Sequence, residues 1–161
     1  TLFRSTFKKE TDSLVTYIKK KRERFGRMSK ELNLETRNYL SKLSSLNIPK
    51  NNTIVINYFP KNDKCLGGRK WNNFIIRKFK KYINNVEKNN SISQFFIFKD
   101  ETVVKNFSKN FNWYLDKEKF IENSFFEFHY PCFSYIIIKP NGNYFTERGE
   151  YNVNLILEKI K

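Results

Sequence analysis

The chain has 161 residues, 39% of them apolar, with 17 Phe, 9 Tyr and 2 Trp, enough to build the core of one domain without metal or disulfide staples. A formal charge of +15 points towards anionic partners, but the 23 Lys, 8 Arg and 21 Asn share an A/T-rich codon bias, and Arg, the better fork for phosphate and base edges, is the scarcer cation. Two cysteines exclude a multi-cysteine zinc site and a disulfide-rich miniprotein, and no apolar run reaches the roughly 20 residues of a membrane-spanning helix.

The first 50 residues hold 13 Lys and Arg against 5 acids, just over half of the excess charge. There Leu14, Ile18, Phe25, Met28 and Leu32 recur in steps of three, four and seven, which predicts an amphipathic helix. Lys19, Lys20, Lys21 and Arg22 fall on its wet side, and Arg24 and Arg27 extend the basic face. A second helical stretch from Glu31 to Leu46 ends at Ile48-Pro49. Residues 1–50 are therefore expected to form a basic helical arm, with a compact domain over 51–161. The start at Thr1 rather than Met leads us to expect a preceding segment, a removed signal peptide among the candidates.

Thr53 to Phe59 is a β-branched and aromatic run closed by Pro60, and predicts a buried strand. A loop over Lys61 to Gly68 follows, and then Trp71, Ile75, Phe79, Tyr82 and Val86 recur at helical spacing. Ser93 to Phe98 predicts a second strand. Asp100-Glu101 opens a helical region that runs, with a break near Asn110 to Trp113, to Phe126. Ser134 to Lys139 is a third strand, Pro140-Asn141-Gly142 a turn, Asn143 to Glu147 a fourth strand, and Tyr151 to Lys161 a last helix. A strand, a crossover helix and a second strand imply a right-handed parallel pair, whereas the closing hairpin is antiparallel and helices are left to cover both faces. The expected fold class is α/β, an α/β/α sandwich on a mixed four-stranded sheet behind a helical N-terminal arm.

This order over residues 50 to 161 resembles the thioredoxin-like superfamily. In that family the redox motif lies in the loop after the first core strand, where Cys65 stands here, and a proline, usually cis, precedes the third strand, where Pro131 stands. Ile136 to Phe145, with Gly149 near the last helix, looks like the family's closing hairpin and helix. The dithiol motif is missing: Asn62 lies three residues before Cys65 and Gly68 three after. The resemblance implies that the two loops face each other, which places Cys65 and Cys132 within disulfide reach. It also gives Tyr130 and Pro131 the position of a substrate-binding loop. Two separately buried thiols are the alternative.

Cys65, flanked by Lys64 and Arg69 near a helix start, has the surroundings that favour a thiolate, and His129 stands three residues before Cys132 as a candidate base. Leu66 to Lys70 lacks the spacing of a phosphate-binding loop, and Glu118 and Glu122 are expected on a solvated helix face. No motif calls for a cofactor or a metal. The expected function is a thioredoxin-like binding or accessory module without a dithiol, exported to the periplasm or secreted, with a cytoplasmic or organellar location as the alternative. It would contact a protein partner through the N-terminal arm and carry Cys65 and Cys132 as a structural or slow redox disulfide. A thiol-disulfide oxidoreductase using the same cysteines is one alternative, and a basic RNA-associated subunit of a ribonucleoprotein particle, meeting nucleic acid through Lys19 to Arg27, is the other.

Overall fold

The computed structural model describes residues 4–11, 13–60, 73–99, 101, 111–128, 130 and 132–160. Its elements in chain order are β1 (Arg4–Thr11), β2 (Leu14–Lys21), β3 (Glu23–Arg27), α1 (Lys30–Ser44), β4 (Thr53–Phe59), α2 (Asn73–Glu87), β5 (Ile92–Phe98), β6 (Trp113–Leu115), α3 (Phe120–Phe125), β7 (Ser134–Ile138), β8 (Asn143–Glu147) and α4 (Val153–Ile160). β3 to β8 form one sheet in the order β3-β8-β7-β4-β5-β6, and β1 and β2 form a separate antiparallel pair. β4, β5 and β6 run parallel, while β7, β8 and β3 alternate antiparallel.

Every residue of β4 is buried, so both faces of the sheet need cover. Side chains alternate across a strand, and they sort cleanly. Val55, Phe59, Phe96, Tyr135 and Ile137 pack on one face under Phe79, Tyr82 and Val86 of α2 and Val153 and Ile156 of α4. Ile54, Ile56, Tyr58, Phe95, Ile97, Ile136 and Ile138 pack on the other under Tyr39 and Leu40 of α1 and Ile121 and Phe125 of α3. Each such side chain contributes about 1.5–3 kcal/mol by leaving water. Aromatic contacts add geometry: Phe59 meets Trp113 edge-on at 4.8 Å, and Tyr58 stacks on Phe126 at 4.8 Å. The result is a mixed α/β fold with helices on both faces of a mixed sheet, in which β8, β7, β4 and β5 lie side by side.

Two expectations are corrected. The sheet has six strands rather than four, and the region expected as a helix from Leu14 to Leu32 is β2 and β3, followed by the start of α1. Steps of three and four marked the apolar residues, but Val15, Thr16, Tyr17 and Ile18 are β-branched or aromatic, and such residues lose rotamer freedom in a helix. Phe25, a supposed core residue of that helix, is 82% exposed and pairs with Phe145 across β3 and β8. Gly26 fits the close approach of those strands, since a Cβ there would lie 3.1 Å from the Tyr144 hydroxyl. The second predicted helix stands as α1, whose N-cap Ser29 accepts a hydrogen bond from Leu32 N–H at 3.1 Å.

β6 replaces the break expected near Trp113. It is three residues long, too short for its pattern to register. Its end is held by Asp116, which is almost fully buried and accepts from the Tyr39 hydroxyl at 2.6 Å, Glu122 N–H at 2.9 Å and Ile121 N–H at 3.3 Å. This carboxylate ties α1 to the β6–α3 junction. Burial and the neighbouring Asp116 push the Tyr39 phenol well above its ordinary pKa, so it stays a donor. Tyr39→Phe should lower stability by about 1–3 kcal/mol, the cost of leaving a buried charged acceptor short of a partner, read as a shifted midpoint with unchanged slope in urea unfolding. An unchanged midpoint would mean that this bond does not secure the junction.

Candidate functional site

In an open α/β sheet, ligand sites gather beyond the carboxyl ends of the parallel strands. Here that end is formed by Phe59, Phe98 and Leu115, and the antiparallel strands bring Ser134 of β7, Glu147 of β8 and Glu23 of β3 to it. The approach to β7 is buried: Tyr130 and Cys132 are each 5% exposed. Cys132 has φ +74°, in the left-handed region that a residue with a Cβ rarely enters. Among the described residues there is no free thiol. Cys65, His129 and Pro131 lie outside the described residues.

The N-terminal hairpin is fastened to this end. The Tyr130 hydroxyl donates to the Lys20 carbonyl at 2.6 Å, and the Lys20 ammonium sits 4.6 Å from the centre of the Phe128 ring. The Arg148 guanidinium donates to the carbonyls of Lys21 at 3.3 Å and Phe125 at 3.2 Å, and Arg148 N–H donates to the Arg22 carbonyl. Arg22 in turn pairs with Glu147 at 3.3 Å, whose other oxygen accepts from the Tyr135 hydroxyl at 3.0 Å. Burial first, then Glu147, pushes the Tyr135 phenol upward.

The predicted basic face is therefore distributed. On a strand, consecutive residues point to opposite sides: Lys19 and Lys21 are exposed, whereas Lys20 between them is half-buried. Arg24 and Arg27 are exposed on β3, and Arg22 is half-buried in its ion pair. Glu118 and Glu122 do not share a solvated helix face. Glu118 precedes α3 and meets Lys42 at 3.1 Å, and Glu122 is buried against Lys99 at 2.7 Å. Sequence reasoning missed Arg148 and Glu147. Their only signal was a charged pair directly before Gly149 at the end of a strand, and nothing in one sequence says that such a pair is buried.

Among the described residues this end presents fixed guanidinium groups, backbone edges and aromatic faces. Among the described residues no group of three or more His, Cys, Asp or Glu is placed to hold a metal. No described helix is long and apolar enough to cross a membrane.

No protein-family model matches the chain, and no curated protein is similar to it. Among solved structures it is similar to the exposed lipoprotein thioredoxin of Streptococcus pneumoniae strain TIGR4, at 11% identity over 69% of this chain and 84% of that one, with a TM-score of 0.47. A likeness at that level transfers no residue role, so the chemistry of this chain has to be argued from its own side chains.

Proposed function

We propose that the protein is a binding or accessory module of thioredoxin-like type, which takes an extended acidic segment of a protein partner along β3. The observation that carries this is the open edge of the sheet. β3 is the outermost strand and all five of its residues are exposed. Met28 N–H donates to the Gly142 carbonyl, and the Arg22 carbonyl accepts from Arg148 N–H. In an antiparallel ladder such pairs alternate with non-bonded ones, so the N–H and C=O groups of Glu23, Phe25 and Arg27 face away from β8. An exposed strand edge of this kind accepts an added strand. Arg22, Arg24 and Arg27 favour an acidic partner and disfavour the same edge of a second copy. Phe25 adds an aromatic anchor, and the neighbouring hairpin exposes Leu14, Val15 and Tyr17.

Cys65 and Cys132 enter as a structural or slow redox disulfide. The support is that Cys132 is buried and that no described cysteine has a free thiol, in a chain with two cysteines. A persistent bond belongs to an oxidising compartment, the periplasm or the cell exterior. A second reading rests on Tyr17 and Phe25, exposed aromatics interleaved with Lys19, Lys21 and Arg24. Such an array suits single-stranded RNA.

The edge is tested with designed peptides of alternating Glu and Val or Ile. Phe25→Ala keeps the outward N–H, while Phe25→Pro removes it and leaves the ladder to β8 intact, since proline is tolerated on an edge strand with its nitrogen outward. Phe25→Pro should bind at least about tenfold more weakly than Phe25→Ala, a difference of about 1.4 kcal/mol. Equal binding by the two variants would overturn strand addition. Binding of polyuridylate instead, with affinity falling steeply in salt, would establish the RNA reading.

The disulfide is read by alkylation under denaturing, non-reducing conditions followed by peptide mapping. A linked Cys65–Cys132 peptide is expected, with a reduction potential below about −300 mV if its role is structural and higher if it is redox-active. Two alkylated cysteines would remove both the bridge and the oxidoreductase alternative built on it.

A further inference from the structure

The far edge of the sheet is incompletely paired, and its chemistry is independent of β3. β6 is outermost there but pairs only Phe96 to Phe98 of β5, although β5 begins at Ile92. The span from Ile92 to Phe95, about 13 Å long at the rise of a strand, has no neighbour on that side among the described residues. Beside it lies a cleft of about 410 Å³, within the range of roughly 300–1,000 Å³ found for ligand sites.

The backbone of Gln94 opens towards this cleft. Inside a sheet, the N–H and C=O of one residue turn to one neighbouring strand and those of the next residue to the other. Thr53 N–H donates to the Ser91 carbonyl and Lys99 N–H to the Phe59 carbonyl, so the odd-numbered residues of β5 turn to β4. Asp116 N–H donates to the Phe98 carbonyl, so the even-numbered residues turn to the open side. Of these, Ile92 N–H is taken by the Asn89 carbonyl at 3.0 Å, whereas Gln94 N–H and C=O meet no backbone partner among the described residues. The Gln94 side chain is occupied elsewhere: Oε1 accepts from the Tyr82 hydroxyl, and Nε2 donates to the Phe95 carbonyl. A free donor and a free acceptor on one strand residue are the complement of another peptide backbone.

Strand parity also sorts the walls of the cleft. Ile92 lines it with Ile83 and Val86 of α2 on one face, and Phe95 lines it with Ile48 and Tyr114 on the other. A chain laid along Gln94 sends alternate side chains into these two apolar walls. Charge separates this edge from β3. Among the described residues that line the cleft there is no Lys or Arg, and the exposed Glu87 is the one charged group. An acidic segment would meet only that carboxylate, whereas an uncharged one gives up no ion hydration on entering. We propose that the cleft binds a short, uncharged, apolar segment of extended peptide, which pairs its backbone with Gln94 N–H and C=O and lies in line with β6.

The test is an NMR titration of the full chain with acetyl-Val-Ile-Val-amide, following the backbone N–H signals. The Gln94 signal should move saturably with a Kd at or below about 1 mM. The same peptide N-methylated at its three residues keeps the side chains but loses those donors, and should bind at least tenfold more weakly. Leu46 lines the cleft and is 54% exposed, so Leu46→Glu should keep the unliganded spectrum and weaken binding at least tenfold. Phe25→Pro should bind as the unaltered protein does, which separates this edge from β3. No saturable shift at Gln94, a shift at Phe25 in its place, equal binding of the N-methylated peptide, or full affinity in Leu46→Glu would overturn the proposal. So would a Gln94 signal that moves with protein concentration alone, which would assign the edge to a second copy of the chain.

Discussion

The structure depends on the complete burial of β4. A strand buried along its whole length needs hydrogen-bonded neighbours on both edges and apolar cover on both faces, and each requirement recruits other parts of the chain. β5 and β7 take the edges, α2 and α4 take one face, and α1 and α3 take the other. Parallel pairing of β4 with β5 forces a crossover, which α2 supplies, and antiparallel pairing of β4 with β7 lets β8 return through a tight turn. In that turn Gly142 adopts φ +85° and its carbonyl accepts from Met28 N–H. The same turn thus anchors the start of α1, so residues expected to belong to an arm are wired to the far end of the chain.

Covering both faces leaves the strand ends and the sheet edges as the places for polar work, and the two polar junctions are built alike. At one, the buried Asp116 gathers donors from α1 and α3. At the other, the buried Arg148 gathers acceptors from the β2–β3 bend and the end of α3. The difference lies in the partners. Asp116 receives a phenol and two amides, whereas Arg148 receives two carbonyls and its Nε is buried without a hydrogen-bond partner among the described residues.

What the sequence could reveal followed the strength of local signals. Thr53 to Phe59 lay between turn residues with β-branched and aromatic side chains throughout, and β4 matches that span. α2, β5, β7, β8 and α4 were similarly marked by period and by Pro or Gly. The N-terminal strands were not. Leu14, Ile18 and Phe25 occur at spacings that suit a helix, but Leu14 and Ile18 pair locally with β1, and Phe25 pairs with Phe145, more than a hundred residues away. β6 has three residues and is defined by β5, not by itself. For the site, Tyr130 was visible because it precedes Pro131, but its bond to the Lys20 carbonyl is a tertiary fact. Arg148 carries no sequence mark distinguishing a buried clamp from a surface cation.

The same limit governs the net charge. A total of +15 joins two kinds of cation that the fold separates. Lysines such as Lys19, Lys21 and Lys42 stand in solvent, where their charge is screened within about 10 Å at 0.1 M salt and codon bias is sufficient explanation. Arginines occupy fixed positions. Arg37 is buried and bonds Asn33 and the carbonyls of Pro49 and Asn52, Arg22 closes on Glu147, and Arg148 binds the β2–β3 bend to α3. Guanidinium suits these places because it holds its proton even when desolvated and spreads several donors in one plane. Arginine is the scarcer cation, and placement, not number, gives it weight. Where those planar donors meet carbonyls or a carboxylate, as they do at Arg37, Arg22 and Arg148, they tie together pieces of chain that are distant in sequence.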